Sequence, residues 1–323
     1  MKPIVAVTNI FPQIALDKLS STCDLKINQS GNSLTKEELL QKFSESDAVI
    51  SYLTDRIDQD IIDRGTKLKI IANYGAGFNN IDVNYASKMD IWVTNTPSVL
   101  HETTADLTWA MILGAARRII PADRYTRQGE FKGWGAEVFL GGDVHGKTLG
   151  IIGLGEIGSA VARRATGFNM RTLYHQRNRL SELEENQLDV EYVTFDKVLR
   201  ESDFLTLHVP LTEKTEYMIS NDEIALMKKT AYLIHTARGK VIDDYALVAA
   251  LKEGRIAGAA LDVYEDEPAI TEGMTELSNL MLLPHIGSAS FETRDKMALL
   301  VVDNVIDALA GKTPRSLVPG YSQ

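Results

Sequence analysis

Gly153-Leu154-Gly155-Glu156-Ile157-Gly158 constrains this chain more than any other stretch. It follows the apolar run Thr148-Leu149-Gly150-Ile151-Ile152, which reads as a buried strand. It opens Ile157 to Thr166, which reads as a helix closed by Gly167. A G-x-G-x-x-G between strand and helix is the setting of a dinucleotide-binding turn. Gly153 permits the tight turn, Gly155 lets backbone approach a pyrophosphate, and Gly158 lets helix and strand pack closely. The helix start, with Glu156 and Ile157, offers unpaired N–H groups and a positive dipole end to phosphates.

Bulk properties narrow the rest. A length of 323 residues predicts two domains. The net charge of −10 argues against a nucleic-acid partner. One cysteine, Cys23, leaves no intrachain disulfide framework and reads as a small buried hydrophobe. Met1-Lys2-Pro3-Ile4-Val5-Ala6-Val7 reads as a short strand rather than a signal peptide, and no apolar run reaches membrane-spanning length. A cytoplasmic location is expected.

Short apolar runs alternate with helical patterns along nearly the whole chain, which predicts parallel βαβ units. In the first part, runs near Ile4–Val7, Ala48–Ser51, Ile70–Ala72 and Ile91–Val93 are strand candidates. Thr35-Lys36-Glu37-Glu38 is a capping-box pattern before a helix at Glu38–Phe43. This part reads as flavodoxin-like. From Lys147 onward the strand candidates are 148–152, 171–174, 190–193, 204–208, 231–235, 257–261 and 280–283, a Rossmann-like series. Ser220-Asn221-Asp222-Glu223 is a second capping box, and Gly254 stands where a C-cap follows a helix at Tyr245–Glu253.

The fold class expected is α/β: two Rossmann/flavodoxin-like parallel-sheet domains with a cleft between them. The last helix, about Glu292 to Ala310, returns to the first domain. Residues 1–98 plus 289–323 then form a discontinuous substrate-binding domain, and 99–288 the dinucleotide-binding domain. Leu107–Ala116, apolar on nearly every face, predicts a helix buried at a seam between domains or subunits. Arg124 to Val144 reads as an excursion onto a partner subunit or as a surface loop. Hinges are expected near Asn95–Val99 and Gly287–Phe291.

The second strand of a dinucleotide fold ends near the adenosine ribose, where an NAD enzyme usually carries an acid. Here Thr172-Leu173-Tyr174 runs into His175-Gln176-Arg177-Asn178-Arg179 with no acid at the strand end. Arg177 can pair with a 2′-phosphate, with Asn178 and Arg179 beside it. This favours NADP(H) over NAD(H); the other reading is a basic surface turn in an NAD-using enzyme.

Three segments bring reactive side chains to strand ends, where open α/β sheets bind ligands. They are His235-Thr236-Ala237-Arg238-Gly239, Asp262-Val263-Tyr264-Glu265-Asp266-Glu267-Pro268 and Leu283-Pro284-His285-Ile286-Gly287. Joined in this order with Gly153–Gly158 and His208-Val209-Pro210-Leu211-Thr212, they resemble the D-isomer-specific 2-hydroxyacid dehydrogenases, which include glyoxylate/hydroxypyruvate reductases. The resemblance covers essentially the whole chain. Tyr74-Gly75-Ala76-Gly77-Phe78-Asn79-Asn80-Ile81-Asp82 also resembles that family's substrate-binding loop.

The resemblance implies roles residue by residue. His285 is the general acid, Glu267 holds its imidazole, and Arg238 binds the substrate carboxylate and polarises the carbonyl. The N–H groups of Ala76 and Gly77 hold that carboxylate from the first domain, with Leu53 shaping the pocket. Asp262 contacts the nicotinamide amide and Thr104 lies on the nicotinamide side. Pro210 and Thr215 lie near the adenosine, and Ala237 beside the cofactor. His235 stands where many relatives have Asn. His101, His145, His175 and His208 read as structural or peripheral, and no metal-ligand spacing appears. The expected activity is NADPH-dependent reduction of a small 2-ketoacid, glyoxylate, hydroxypyruvate or 2-ketogluconate, by a homodimer. The alternatives are an NAD-dependent D-2-hydroxyacid dehydrogenase and a non-enzymatic, nucleotide-sensing corepressor-like protein.

Overall fold

The computed structural model describes residues 2–321. The chain divides into two compact units, Met1–Leu100 with Ser288–Gln323, and His101–Gly287. The sequence reading put the crossings two residues and one residue away. The second crossing falls after Gly287 because its N–H is tied to Asp262 inside the second unit, at 2.8 Å.

The first unit is a five-stranded parallel sheet, β1 (Ile4–Val7), β2 (Asp24–Ile27), β3 (Ala48–Ser51), β4 (Ile70–Asn73) and β5 (Trp92–Thr94), in the order β2-β1-β3-β4-β5. Four of these coincide with the expected apolar runs. β2 was missed, because Asp-Leu-Lys-Ile is a short edge strand whose residues are exposed or half-buried and shows no apolar run. The helix Phe291–Leu309 returns to this unit. Its Met297, Ala298, Val301, Val302 and Val305 pack with Ala15 and Leu19 of the helix Gln13–Ser20 and with Val5, Ile50 and Ile70 of the sheet. The helix Lys36–Glu45 starts with the reciprocal Thr35–Glu38 capping box.

The second unit is a seven-stranded parallel sheet, β6 (Thr148–Ile152), β7 (Arg171–His175), β8 (Val190–Tyr192), β9 (Phe204–Leu207), β10 (Tyr232–His235), β11 (Gly258–Leu261) and β12 (Leu280–Leu282), in the order β12-β11-β10-β9-β6-β7-β8. All seven expected strands are present. The order reverses around β6, so the crevice outside its carboxyl end lies at the switch point.

The apolar helix is His101–Ala116; it packs on the helix Glu156–Ala165 and on β10, β11 and β12 of the second unit, with Glu102, Asp106 and Ala110 exposed on its remaining face. Two expectations are corrected here. The helix after the glycine turn, Glu156–Ala165, tightens into a 3₁₀ turn at Thr166–Phe168 and ends at left-handed Asn169, not at Gly167. The helix Ile119–Arg127 runs into the expected excursion region, so its residues 124–127 are helical, with Arg118 left-handed before the helix. By contrast, Gly254 follows the helix Asp244–Lys252 with φ +63°, as a C-cap glycine does.

Leu19 is fully buried beneath the returning helix. Leu19→Ala should cost roughly 2–5 kcal/mol through lost transfer and a residual cavity. Denaturant unfolding followed by amide exchange should show protection lost from strands of the first unit. A cost under about 1 kcal/mol would mean that this core does not hold the terminal helix.

Candidate active site

In the second unit the candidate residues stand on the loops and the helix start that follow the strands at one edge of one sheet, apart from Thr104, on the helix His101–Ala116. The glycine turn leaves β6, and its three glycines meet three different constraints. Gly153 has φ +92°, and a Cβ there would lie 2.7 Å from the His208 carbonyl oxygen, on the loop after β9. A Cβ on Gly158 would lie 2.2 Å from the Gly153 oxygen. Gly155, the N-cap of the helix, is exposed, and a Cβ there would meet nothing within 4 Å. Gly153 and Gly158 are therefore glycines because protein backbone occupies the space. Gly155 instead leaves a cradle free for an incoming group.

The N–H groups around the turn sort in the same way. Gly153 donates to His175 O at 2.9 Å and Leu154 donates to Gln176 Oε1 at 3.0 Å. Those of Gly155 and Ile157 have no protein partner among the described residues. Open donors at a helix N-terminus, beside a cradle that a Cβ would fill, fit a pyrophosphate.

The turn after β7 is more committed than the sequence suggested. Arg179 forms a two-bond ion pair with Glu185, at 2.8 and 2.7 Å, and its guanidinium lies over Tyr192. Its hydrogen bonds and charge hold the Glu185 carboxyl down to about 2. Arg179 is thus occupied as a structural cation. Arg177 and Asn178 are exposed, and Arg177 has no ion pair among the described residues. Gln176 takes the position after the strand and spends its amide on Leu154 N–H and Asn178 O. Sequence reasoning missed this residue, since a glutamine in a basic turn carries no pattern of its own.

The loop after β9 is self-organised: Thr215 Oγ1 donates to Pro210 O at 2.6 Å and accepts from Thr212 N–H at 2.8 Å. After β10, His235 is buried and its Nε2 donates to Arg238 O at 2.8 Å. Burial pulls the His235 imidazole down to about 4, so it is neutral at pH 7. Arg238 is half-buried and donates to Ala237 O at 2.6 Å; burial pulls its guanidinium below its ordinary value, opposed by the charge of Glu267. The following Gly239 is required by close approach, because a Cβ would sit 1.8 Å from the Tyr264 oxygen.

His285, in the loop after β12, places Nδ1 2.7 Å from Glu267 Oε2. Glu267 Oε1 accepts Tyr264 N–H at 3.0 Å. Burial opposes ionisation of Glu267, but the hydrogen bond and charge of His285 outweigh it and hold the carboxyl below its ordinary value of 4.5. A carboxylate on one ring nitrogen leaves the other free for proton transfer. His285 itself has φ +54°. Buried Asp262 accepts from Ile286 N–H and Gly287 N–H, both at 2.8 Å. Tyr264 Oη donates to Leu283 O at 2.6 Å. Thr104, also buried, lies against Gly287. Among the described residues, no group of three or more His, Cys, Asp or Glu could hold a metal ion.

The first unit carries the other candidates. Ala76 and Gly77 lie in the loop after β4, and Leu53 packs over it so closely that a Cβ on Gly75 would meet Leu53 Cδ2 at 2.6 Å. The amides of Asn73 and Asn95 hold carbonyls of this loop. Neither asparagine was singled out in the sequence, where a polar residue ending an apolar strand was the only signal.

The chain is similar to known proteins over nearly its full length. Residues 109–287 match the family model described as D-isomer specific 2-hydroxyacid dehydrogenase, NAD binding domain. A glyoxylate reductase of Pyrococcus horikoshii is 48% identical over 322 residues, covering 98% of this chain and 96% of that protein. Among solved structures, a protein from Thermus thermophilus superposes with a TM-score of 0.92 at 39% identity, covering 98% and 99% of the two chains. An NADPH-dependent glyoxylate/hydroxypyruvate reductase from Sinorhizobium meliloti, solved with NADP and malonate, gives 0.86 at 30% identity, with 99% and 98% covered.

Gly158→Ala should lower the ligand-free melting temperature, at a cost of about 1–3 kcal/mol from overpacking, whereas Gly155→Ala should leave it unchanged and weaken dinucleotide binding. Equal melting losses would contradict the cradle. For Glu267, a native pKa below the unfolded value means the ion pair stabilises above pH 4.5 and is lost as pH falls through the depressed native value. Glu267→Gln should therefore flatten the acid side of the stability–pH curve; an unaltered acid limb would show that the pair contributes nothing. With the glycine turn, the Glu267–His285 pair and Arg238 on the edge of one parallel sheet, and relatives matching over nearly its full length, the chain belongs to the D-isomer-specific 2-hydroxyacid dehydrogenases, a family of oxidoreductases.

Proposed function

We propose that this protein reduces a small 2-ketoacid, glyoxylate or hydroxypyruvate, to the D-2-hydroxyacid, using NADPH in preference to NADH. 2-Ketogluconate is the next candidate substrate. The observation that carries the reading is the 2.7 Å Glu267–His285 pair on the same sheet edge as Arg238 and the glycine turn.

The nicotinamide supplies the hydride when bound. Gly153, Gly155 and Gly158, with Glu156 and Ile157 at the helix start, take the pyrophosphate. Thr104, Ala237 and Asp262 line the nicotinamide side, and Pro210 and Thr215 the adenosine side. His285 delivers a proton to the substrate carbonyl oxygen, and Glu267 keeps the imidazole oriented. Arg238, permanently charged, binds the carboxylate and draws electron density from the adjacent carbonyl. In the first unit, Ala76 and Gly77 are the carboxylate-binding donors, and Leu53 limits substrate size.

Support for NADPH is local. No carboxylate stands at the end of β7 to repel a 2′-phosphate. Arg177 is exposed and without an ion pair among the described residues, with Asn178 beside it. The Sinorhizobium meliloti relative is NADPH-dependent by its printed description. The family model is described by NAD, and that keeps an NAD-dependent dehydrogenase as the second reading. The proposal extends to a homodimer. Ile119, Phe131, Trp134 and Leu140 expose 51, 61, 89 and 67% of their surface along one segment, which a second copy would cover.

The test is the loss of 340 nm absorbance with NADPH and, separately, NADH, against glyoxylate, hydroxypyruvate, 2-ketogluconate, pyruvate and phenylpyruvate. NADPH should be preferred, and Arg177→Asp should abolish the preference by raising KM for NADPH alone. His285→Ala should lose about 10²–10⁴ in kcat with NADPH binding retained. Equal use of both cofactors would favour the second reading. Tight NADPH binding with no turnover of any acid would favour a nucleotide sensor.

A further inference from the structure

The loop after β4 is held by its carbonyls. Gly75 O accepts from Thr96 N–H at 3.0 Å, Ala76 O from Asn95 Nδ2 at 2.6 Å, and Gly77 O from Asn73 Nδ2 at 2.7 Å. The peptides joining residues 75–78 are trans. In a trans peptide the N–H of the following residue points opposite to the carbonyl. Anchoring three carbonyls in succession therefore turns the N–H groups of Ala76, Gly77 and Phe78 away from the anchors. None of these three N–H groups has a hydrogen-bond partner among the described residues. Successive open N–H groups make an anion-binding concavity.

The anchors are themselves fixed. Asn73 and Asn95 are 0% and 6% exposed. A carbonyl only accepts, so in each case the amide nitrogen must face the loop. Asn73 Oδ1 accepts from Ser51 Oγ at 3.4 Å. The Asn95 backbone is bound at both ends to Ser316, N–H to Ser316 O at 3.2 Å and O from Ser316 Oγ at 2.7 Å. Ser316 Oγ in turn accepts from buried Asn304 at 2.7 Å. The amides stand on β4 and just beyond β5, so the sheet sets the direction of the loop donors.

We propose that Asn73 and Asn95 are positioning residues that aim the N–H groups of Phe78 and Gly77 at the substrate carboxylate, beside that of Ala76, whose peptide is held by Thr96 N–H, so that Phe78 N–H is a third donor. This rests on the reading of the protein as a 2-ketoacid reductase. The two carboxylate oxygens offer about four acceptor directions, enough for three backbone donors. Without the amides the peptides are free to rotate, and a carbonyl oxygen rather than an N–H can then face the anion.

Asn73→Asp and Asn95→Asp keep the shape but replace the donor by an acceptor that repels the loop carbonyl. Asn73→Ala and Asn95→Ala remove the donor without adding charge. In the full-length protein, KM for glyoxylate and the competitive Ki for oxalate should each rise about tenfold or more in all four variants, the loss expected for hydrogen bonds to a charged group. The kcat at saturating glyoxylate and Kd for NADPH should stay near wild type, while the melting temperature falls in all four variants because each leaves a buried group unpaired. Loss of NADPH binding or of kcat in step with KM would overturn the positioning role in favour of a purely structural one. Wild-type KM and Ki in the alanine variants would overturn it outright. A wild-type protein that reduces no ketoacid would instead overturn the functional reading beneath it.

Discussion

Backbone packed directly on backbone is the constraint on which the second unit depends. Gly153 lies against the His208 carbonyl, Gly158 against Gly153, and Gly239 against Tyr264, each closer than a Cβ allows. These contacts join loops that leave β6, β9, β10 and β11, and the loop after β12 is tied in through Asp262 and Tyr264. In a parallel sheet such loops all emerge on one edge. Without close approach they would be separate surface turns. With it, the loops that carry Arg238, Glu267 and His285 share one framework.

Hydrogen bonding explains how polar groups are tolerated there. Desolvation penalises buried charge and buried unpaired donors alike. Asp262 answers with two backbone N–H groups, and Asp244 with Glu265 N–H and Thr271 Oγ1, which pins the far side of the Glu267 loop. Glu267 has a backbone donor on one oxygen and His285 on the other. Neutral His235 holds the Arg238 carbonyl and so fixes the backbone from which the guanidinium extends.

The first unit solves a related problem with amides in place of glycines. Its loop after β4 needs polar groups pointing outward, yet must be anchored to an apolar sheet. Asparagine at the strand ends does this, because one short side chain supplies a donor and an acceptor from a buried position. The returning helix Phe291–Leu309 stabilises the same region: Tyr74 Oη donates to Arg294 O at 2.8 Å. The chain's last helix thus belongs to the sheet that its first residues begin.

Much of this was legible in the sequence, for physical reasons. Buried parallel strands are near-continuous apolar runs, so β6, β9, β10 and β11 stood out, whereas β8 and β12 are half-buried edge strands. Capping boxes and C-cap glycines are local, so Thr35–Glu38, Ser220–Glu223 and Gly254 could be read directly. The glycine turn between strand and helix announced a dinucleotide site, and the ordered motifs around Arg238, Glu267 and His285 announced the family. What tertiary structure decided is what depends on partners distant in sequence. Edge strand β2 carries no apolar signature. The pairing of Arg179 with Glu185, six residues on, appears only in the fold. The apolar helix His101–Ala116 was placed inside one unit by the sheet and helix on either side of it. Asn73, Asn95 and Gln176 gained their roles only when the fold brought a loop carbonyl or N–H within about 3 Å of each amide. A sequence records which groups a residue can bond; only the fold decides which of them it meets.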